Sequence, residues 1–214
     1  MSTVVSLLGF GCRLNHGEPN VTNANPKFIF FKMDRVIKAD LYRYDGLTGT
    51  KGLLRGLLTP GFRYMYIVRK ISKCRKYSPM WLLYRVLLRR YSFKFGIQIP
   101  YTTQIGEGFY IGHFGTIVIS PKAKIGKNCN IAHNVTIGKA NRGRLNGFPT
   151  IGNNVWIGTG SVIVGNINIG DNVLVAPNSF VNVDVPPFSL VLGNPCKIVP
   201  KDNPTDRYIE YILE

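Results

Sequence analysis

The residues best suited to moving a proton are His113 and His133. His113 stands in YIGHFGTIVIS, residues 110 to 120, beside two glycines and a threonine. An imidazole with an ordinary pKa of about 6.5 can take the proton of a hydroxyl near neutral pH and hand it on, which is worth roughly 10²–10⁴ in rate. His133, in NIAHNVTIG, follows twenty residues later. His16 lies in the first 32 residues and is given no role. A metal hydratase centre asks for three His ligands, one of which would have to come from that leader, so no metal is expected. Two further stretches carry polar chemistry: KANRGRLNGFPT at 139–150, and VPPFSLVLGNPCKIVPK at 185–201.

The elements that must hold these residues repeat every six positions. Aliphatics fall at Ile99, Ile105, Ile111 and Ile117, again after a shift of two at Ile119, Ile125, Ile131 and Ile137, and again at Ile151, Ile157, Ile163, Ile169, Val175 and Val181. A glycine follows several of them: Gly106, Gly112, Gly126, Gly138, Gly152, Gly158 and Gly170. Such a period is neither helical nor simple alternation. It is the signature of a parallel β-helix, in which each hexad gives one short strand and one corner and stacked turns bury a column of aliphatics. Some fourteen hexads make four to five triangular turns. The departures from the rule are the three stretches named above: a slip of two at His113, an insertion at 139–150, and a proline-rich ending. The twenty-residue spacing sets His133 about one turn from His113.

Ahead of the repeat, residues 1–32 mix Asn, Gly and Pro without periodicity and read as a loose leader, with too little basic character and no small-residue site for a signal peptide. Met33 opens a more regular segment and is a candidate natural first residue. Between 62 and 95, apolar residues at Tyr64, Ile67, Val68, Ile71, then Leu82, Leu83, Val86 and Leu87 predict two amphipathic helices broken at Ser78-Pro79. The organisation is therefore a leader (1–32), a basic helical segment (33–96), the β-helix (97–201) and a tail (202–214).

The formal net charge is +16, from 27 Lys and Arg against 11 Asp and Glu, and residues 46–106 hold twelve Lys or Arg and no acid. This is open to three readings: a solvated face, a surface for anionic lipid formed by Arg69, Lys70, Lys73, Arg75 and Lys76 with Trp81, or a phosphate-binding surface for nucleic acid, the last of these the least favoured. No run approaches the roughly 18 apolar residues of a transmembrane helix. Four cysteines without a CxxC pair suit a reducing compartment, and the expected location is cytoplasmic, with peripheral contact at the inner membrane face.

The run from Gly106 to Val199 resembles the hexapeptide-repeat acyltransferases, most of all the serine acetyltransferases and the related O-acetyltransferases of surface-polysaccharide clusters. The likeness is carried by His113 in its short break, Val135–Gly138, a loop closing on Pro149–Gly152, and Gly193–Val199. It implies a left-handed parallel β-helix, a homotrimer with sites between neighbouring prisms, and acetyl-CoA as co-substrate. It also implies His113 as the general base, Gly158, Thr159, Gly160, Ala176 and Pro177 along the pantetheine arm, and Lys197, Lys201 and Lys139, with Arg142, for the phosphates.

The sequence departs from that pattern on the acceptor side. The family's acidic partner of the base is matched by Gln98, and Gly147 and Phe148 stand where serine acetyltransferases carry an Arg and a second His. Arg142 and Arg144 are then the cations left for an acceptor carboxylate, Phe148 supplies an aromatic wall, and His133 is a candidate acceptor contact. On that ground a sugar hydroxyl of a surface polysaccharide or its precursor is the favoured acceptor, serine the alternative, and a non-enzymatic membrane scaffold a second alternative. A nucleotidyltransferase would need a Gly-rich nucleotide-binding domain that the sequence lacks.

Overall fold

The computed structural model describes residues 33–213; the leader, with His16 and Cys12, lies outside them. Four helices come first, α1 (Arg35–Tyr42), α2 (Gly49–Gly56), α3 (Pro60–Lys73) and α4 (Pro79–Phe95). The break between α3 and α4 falls where Ser78 caps α4 by accepting the Trp81 amide, with Pro79 at the first helical position, where its missing N–H costs nothing.

Fifteen short strands follow and wind into a parallel β-helix with three faces. The first face holds β1 (Ile97–Gln98), β4 (Ile117–Ile119), β7 (Thr136–Gly138), β10 (Val162–Val164) and β13 (Phe180–Val181). The second holds β2 (Gln104–Ile105), β5 (Lys124–Ile125), β8 (Thr150–Ile151) and β11 (Asn168–Ile169). On the third lie β3 (Tyr110–Ile111), β6 (Asn130–Ile131), β9 (Trp156–Ile157), β12 (Val173–Val175) and β14 (Ser189–Leu192), with β15 (Lys197–Pro200) returning antiparallel along β14. Ile97, Ile117, Ile137, Ile163 and Val181 stack inside the first face and are fully buried, each contributing about 1.5–3 kcal/mol over an exposed side chain. Corners need a left-handed residue, and Asn128, Asn154 and Asn172 supply it with φ of 53–54°.

Register explains the frame slips. Val118 pairs with Thr136 and Val162 with Phe180, turns of 18 residues. Ile97 pairs with Ile117, a turn of 20, so the His113 corner carries two extra residues. Thr136 pairs with Val162, a turn of 26, so the loop after β7 carries eight.

The first turn has no turn beneath it, and an open strand edge would leave backbone groups unpaired. Side chains of α1, of the turn after it and of α3 take the place of the missing strands. The Tyr44 hydroxyl bonds both backbone groups of Ile111, and the Tyr64 hydroxyl does the same at Ile99. Asp40 accepts the Phe109 amide at 3.0 Å, Arg43 donates to the Gly108 carbonyl at 2.7 Å, and Arg69 donates to the carbonyls of Ile105 and Gly106 while pairing with Asp40 at 2.8 Å.

That cap takes Arg69 out of the expected lipid-facing set: its side chain, 11% exposed, staples the first turn, and Lys73 pairs with Asp34 at 2.6 Å. The apolar periodicity splits as well. Tyr64, Ile67, Val68 and Ile71 of α3 are buried, whereas Leu82, Leu83 and Val86 of α4 are 53, 49 and 65% exposed, because α4 packs on α3 and β1 through Leu88 and Phe95 instead. Among the described residues no helix is long and apolar enough to cross a membrane.

The tail runs back along the prism. Asn130 donates to the Tyr208 carbonyl at 2.8 Å, the rings of Trp156 and Tyr208 lie 4.8 Å apart, and Arg43 donates to the Glu210 carbonyl at 2.7 Å, so one strap ties the turns to the helical cap.

Candidate active site

His113 is exposed on the corner between β3 and β4. The two extra residues push this corner outward, and backbone bonds stitch it to the end of α4: the Gly115 amide donates to the Phe95 carbonyl and the Ile117 amide to the Gly96 carbonyl, both at 2.9 Å. The rings of Phe114 and Phe95 lie 6.1 Å apart on the same junction.

The next turns place their own corners above it. Ile111 pairs with Ile131, which sets His133 one turn from His113, and the two exposed rings meet edge to face with centroids 5.9 Å apart. The Gly160 amide then donates to the His133 carbonyl, and the Asn178 amide to the Thr159 carbonyl. Gly158 permits the stack, since a Cβ there would meet the Pro177 nitrogen at 2.6 Å. Gly158, Thr159, Gly160, Ala176 and Pro177 thus share one corner column with His113 and His133. The corner segments 112–116, 132–134, 158–160, 176–178 and 193–195 contain no acid, which suits an anionic ligand. Lys197 starts β15 opposite Leu192, at the far end of this column, whereas Lys201 pairs through its amide with Phe188 at the other edge of the third face.

Lys139, Arg142, Arg144 and Phe148 belong elsewhere. Their loop leaves the prism between β7 and β8, at the corner joining the first and second faces, so the whole first face separates them from the histidines within one protomer. The loop is ordered by a single 3-10 turn (Gly143–Leu145) and by paired backbone bonds between Ala140 and Gly147. Phe148 has the ammonium groups of Lys122 and Lys139 within 6 Å of its ring, at 5.5 and 5.9 Å, so cations already flank the ring that was expected to offer an aromatic wall to the acceptor. Arg142 and Arg144 are exposed.

Gln98 does not hydrogen-bond either histidine; with Arg85, Arg89 and Tyr64 it lines a separate cavity of about 470 Å³ between α4 and the first turn. Cys129 is no nucleophile: burial pushes its thiol up to about 12, and it donates to the Gly152 carbonyl. Sequence reasoning missed the capping set Asp40, Arg43 and Tyr44, which holds the strand leading into His113. The one available signal was two acids and two tyrosines within MDRVIKADLYRY, ahead of a stretch with no acid.

Comparison with known proteins agrees with this fold. The family described as Bacterial transferase hexapeptide (six repeats) matches residues 148–182. A serine acetyltransferase of Helicobacter pylori is 32% identical over 146 residues, covering 68% of this chain and 85% of the relative. Among solved structures, a Brucella abortus serine acetyltransferase in complex with coenzyme A superposes with a TM-score of 0.65 at 27% identity, covering 78% of this chain and 67% of that one. A Neisseria gonorrhoeae serine acetyltransferase in complex with serine gives 0.62 at 32% identity, covering 77% and 67%. The chain spans only about a third of the length of the Arabidopsis thaliana serine acetyltransferases that it also matches. These findings overturn the sugar acceptor: the relatives are serine acetyltransferases, and Phe148, the aromatic wall on which that expectation rested, is flanked by the ammonium groups of Lys122 and Lys139.

Proposed function

We propose, for a chain that belongs to the hexapeptide-repeat acyltransferases of the serine acetyltransferase type, that it transfers an acetyl group from acetyl-CoA to the hydroxyl of serine. The observation that carries this is the exposed His113 imidazole at the foot of an acid-free corner column. His113 accepts the serine hydroxyl proton as the oxygen attacks the thioester carbonyl. The C–O bond forms, the C–S bond breaks, and the proton passes from the imidazole to the departing thiolate, so that O-acetylserine and the free thiol leave. The column fits the coenzyme: Gly158 and Gly160 leave backbone accessible for a narrow arm, and Lys197 meets its phosphates as a point charge at the end.

The assembly we propose is a homotrimer. Arg142, Arg144 and Lys139 lie one face away from His113, and a second prism packed against the histidine corner brings its own loop to that site. Arg142 and Arg144 then serve the serine carboxylate. The test is thiol release from acetyl-CoA. Release that depends on added L-serine and is lost in His113→Ala supports the reading; acetyl-CoA binding without any serine-dependent release overturns it.

A further inference from the structure

We propose that His133 is a positioning residue for His113, an inference that rests on the reading of His113 as the base. A base acts only from within hydrogen-bond reach of the proton it takes. His113 stands in a glycine-flanked turn lengthened by two residues, where an exposed side chain has several staggered rotamers open to it. Among the described residues neither histidine side chain has a hydrogen bond or ion pair, and Gln98 faces another cavity. What the His113 ring does meet is the ring of His133, at 5.9 Å and an interplanar angle of 88°. This is the arrangement in which the positive rim of one ring faces the negative face of the other.

His133 is the better anchored of the two. Its carbonyl accepts the Gly160 amide, and the buried Ile131 and Val135 hold it on either side. Gly115 adopts a φ of 135°, and a Cβ there would sit in ordinary contact with that of His133, at 3.4 Å, so the two corners lie against each other. The backbone of the His133 corner is thereby held in place, and the ring it carries packs against the His113 ring and narrows the orientations open to it. The contact is one of shape rather than of charge, so a different aromatic ring can replace it.

The experiment compares wild type, His133→Ala, His133→Phe and His113→Ala as full chains, by serine-dependent thiol release and by NMR of the imidazole nitrogens. Losing an aromatic contact predicts that His133→Ala lowers kcat about 3- to 10-fold at unchanged KM for serine. His133→Phe recovers most of the loss, and the His113 ring signals broaden in the Ala variant but not in the Phe variant. Unchanged kcat in His133→Ala overturns the proposal. So does a rise in KM alone, which marks a serine contact, or a Phe variant as impaired as Ala, which marks a need for the imidazole nitrogen. Full activity in His113→Ala refutes the base assignment instead, and the ring signals still report whether His133 orders His113.

Discussion

Tyr44 holds Ile111 by both of its backbone groups: the phenol donates to the Ile111 carbonyl at 3.2 Å and accepts the Ile111 amide at 3.3 Å. Ile111 is fully buried and lies two residues before His113, so a tyrosine in the turn after α1 stands in for the strand that the first turn lacks, and it does so next to the proposed base.

Tyr44→Phe keeps the ring and removes the hydroxyl, leaving two buried backbone groups without a partner. The expected loss is about 1–3 kcal/mol in urea unfolding, with a fall in kcat as the His113 corner loosens. Unchanged stability would show that the clasp is dispensable.

The Asp40–Arg69 pair makes a pH-dependent prediction. Burial raises the Asp40 carboxyl above its ordinary value of 3.8, with Arg69 opposing that shift. The folded state then binds this proton more tightly than the unfolded chain does. Stability from this group rises as pH falls through the folded pKa and levels off below 3.8. Asp40→Asn flattens that part of the stability curve. Arg69→Met leaves a carboxylate buried without its cation and costs about 3–5 kcal/mol at neutral pH. Denaturation midpoints across pH 4–7 check both.

Most of the solenoid could be read from its letters, because each hexad aliphatic such as Ile117 or Ile163 must find a column to be buried at all, and because the slip at His113 and the insertion after Gly138 are countable. The cap could not. Asp40, Arg43, Tyr44 and Arg69 act on backbone groups of the first turn 36 to 69 residues away in sequence, and nothing local distinguishes Arg69 from the cations around it. The acceptor was misjudged because Phe148 was read as a sugar-facing wall, whereas the fold brings Lys122, 26 residues away in sequence, and Lys139 against its ring.

The tail gives a third prediction. Truncation after Lys201 removes the bonds of Asn130 and Arg43 to the strap and the Trp156–Tyr208 contact, and should lower stability by about 2–4 kcal/mol while leaving the solenoid folded. Thermal unfolding with circular dichroism measures it; an unaltered midpoint would show that the strap contributes nothing.

Because the histidine corner and the loop corner belong to different parts of a prism, two inactive variants should complement each other. Mixed trimers of His113→Ala with the double variant Arg142→Ala and Arg144→Ala contain some sites with both intact halves, and random assembly restores about a quarter of wild-type activity. No recovery after confirmed subunit mixing would place both halves of the site on one protomer.

The most direct test of the account is serine-dependent thiol release by His113→Ala beside wild type, with acetyl-CoA binding measured on the same samples. The account predicts a fall in kcat of roughly 10²–10⁴ with coenzyme affinity retained. A variant that turns over within about tenfold of wild type, below what loss of a general base produces, would contradict it.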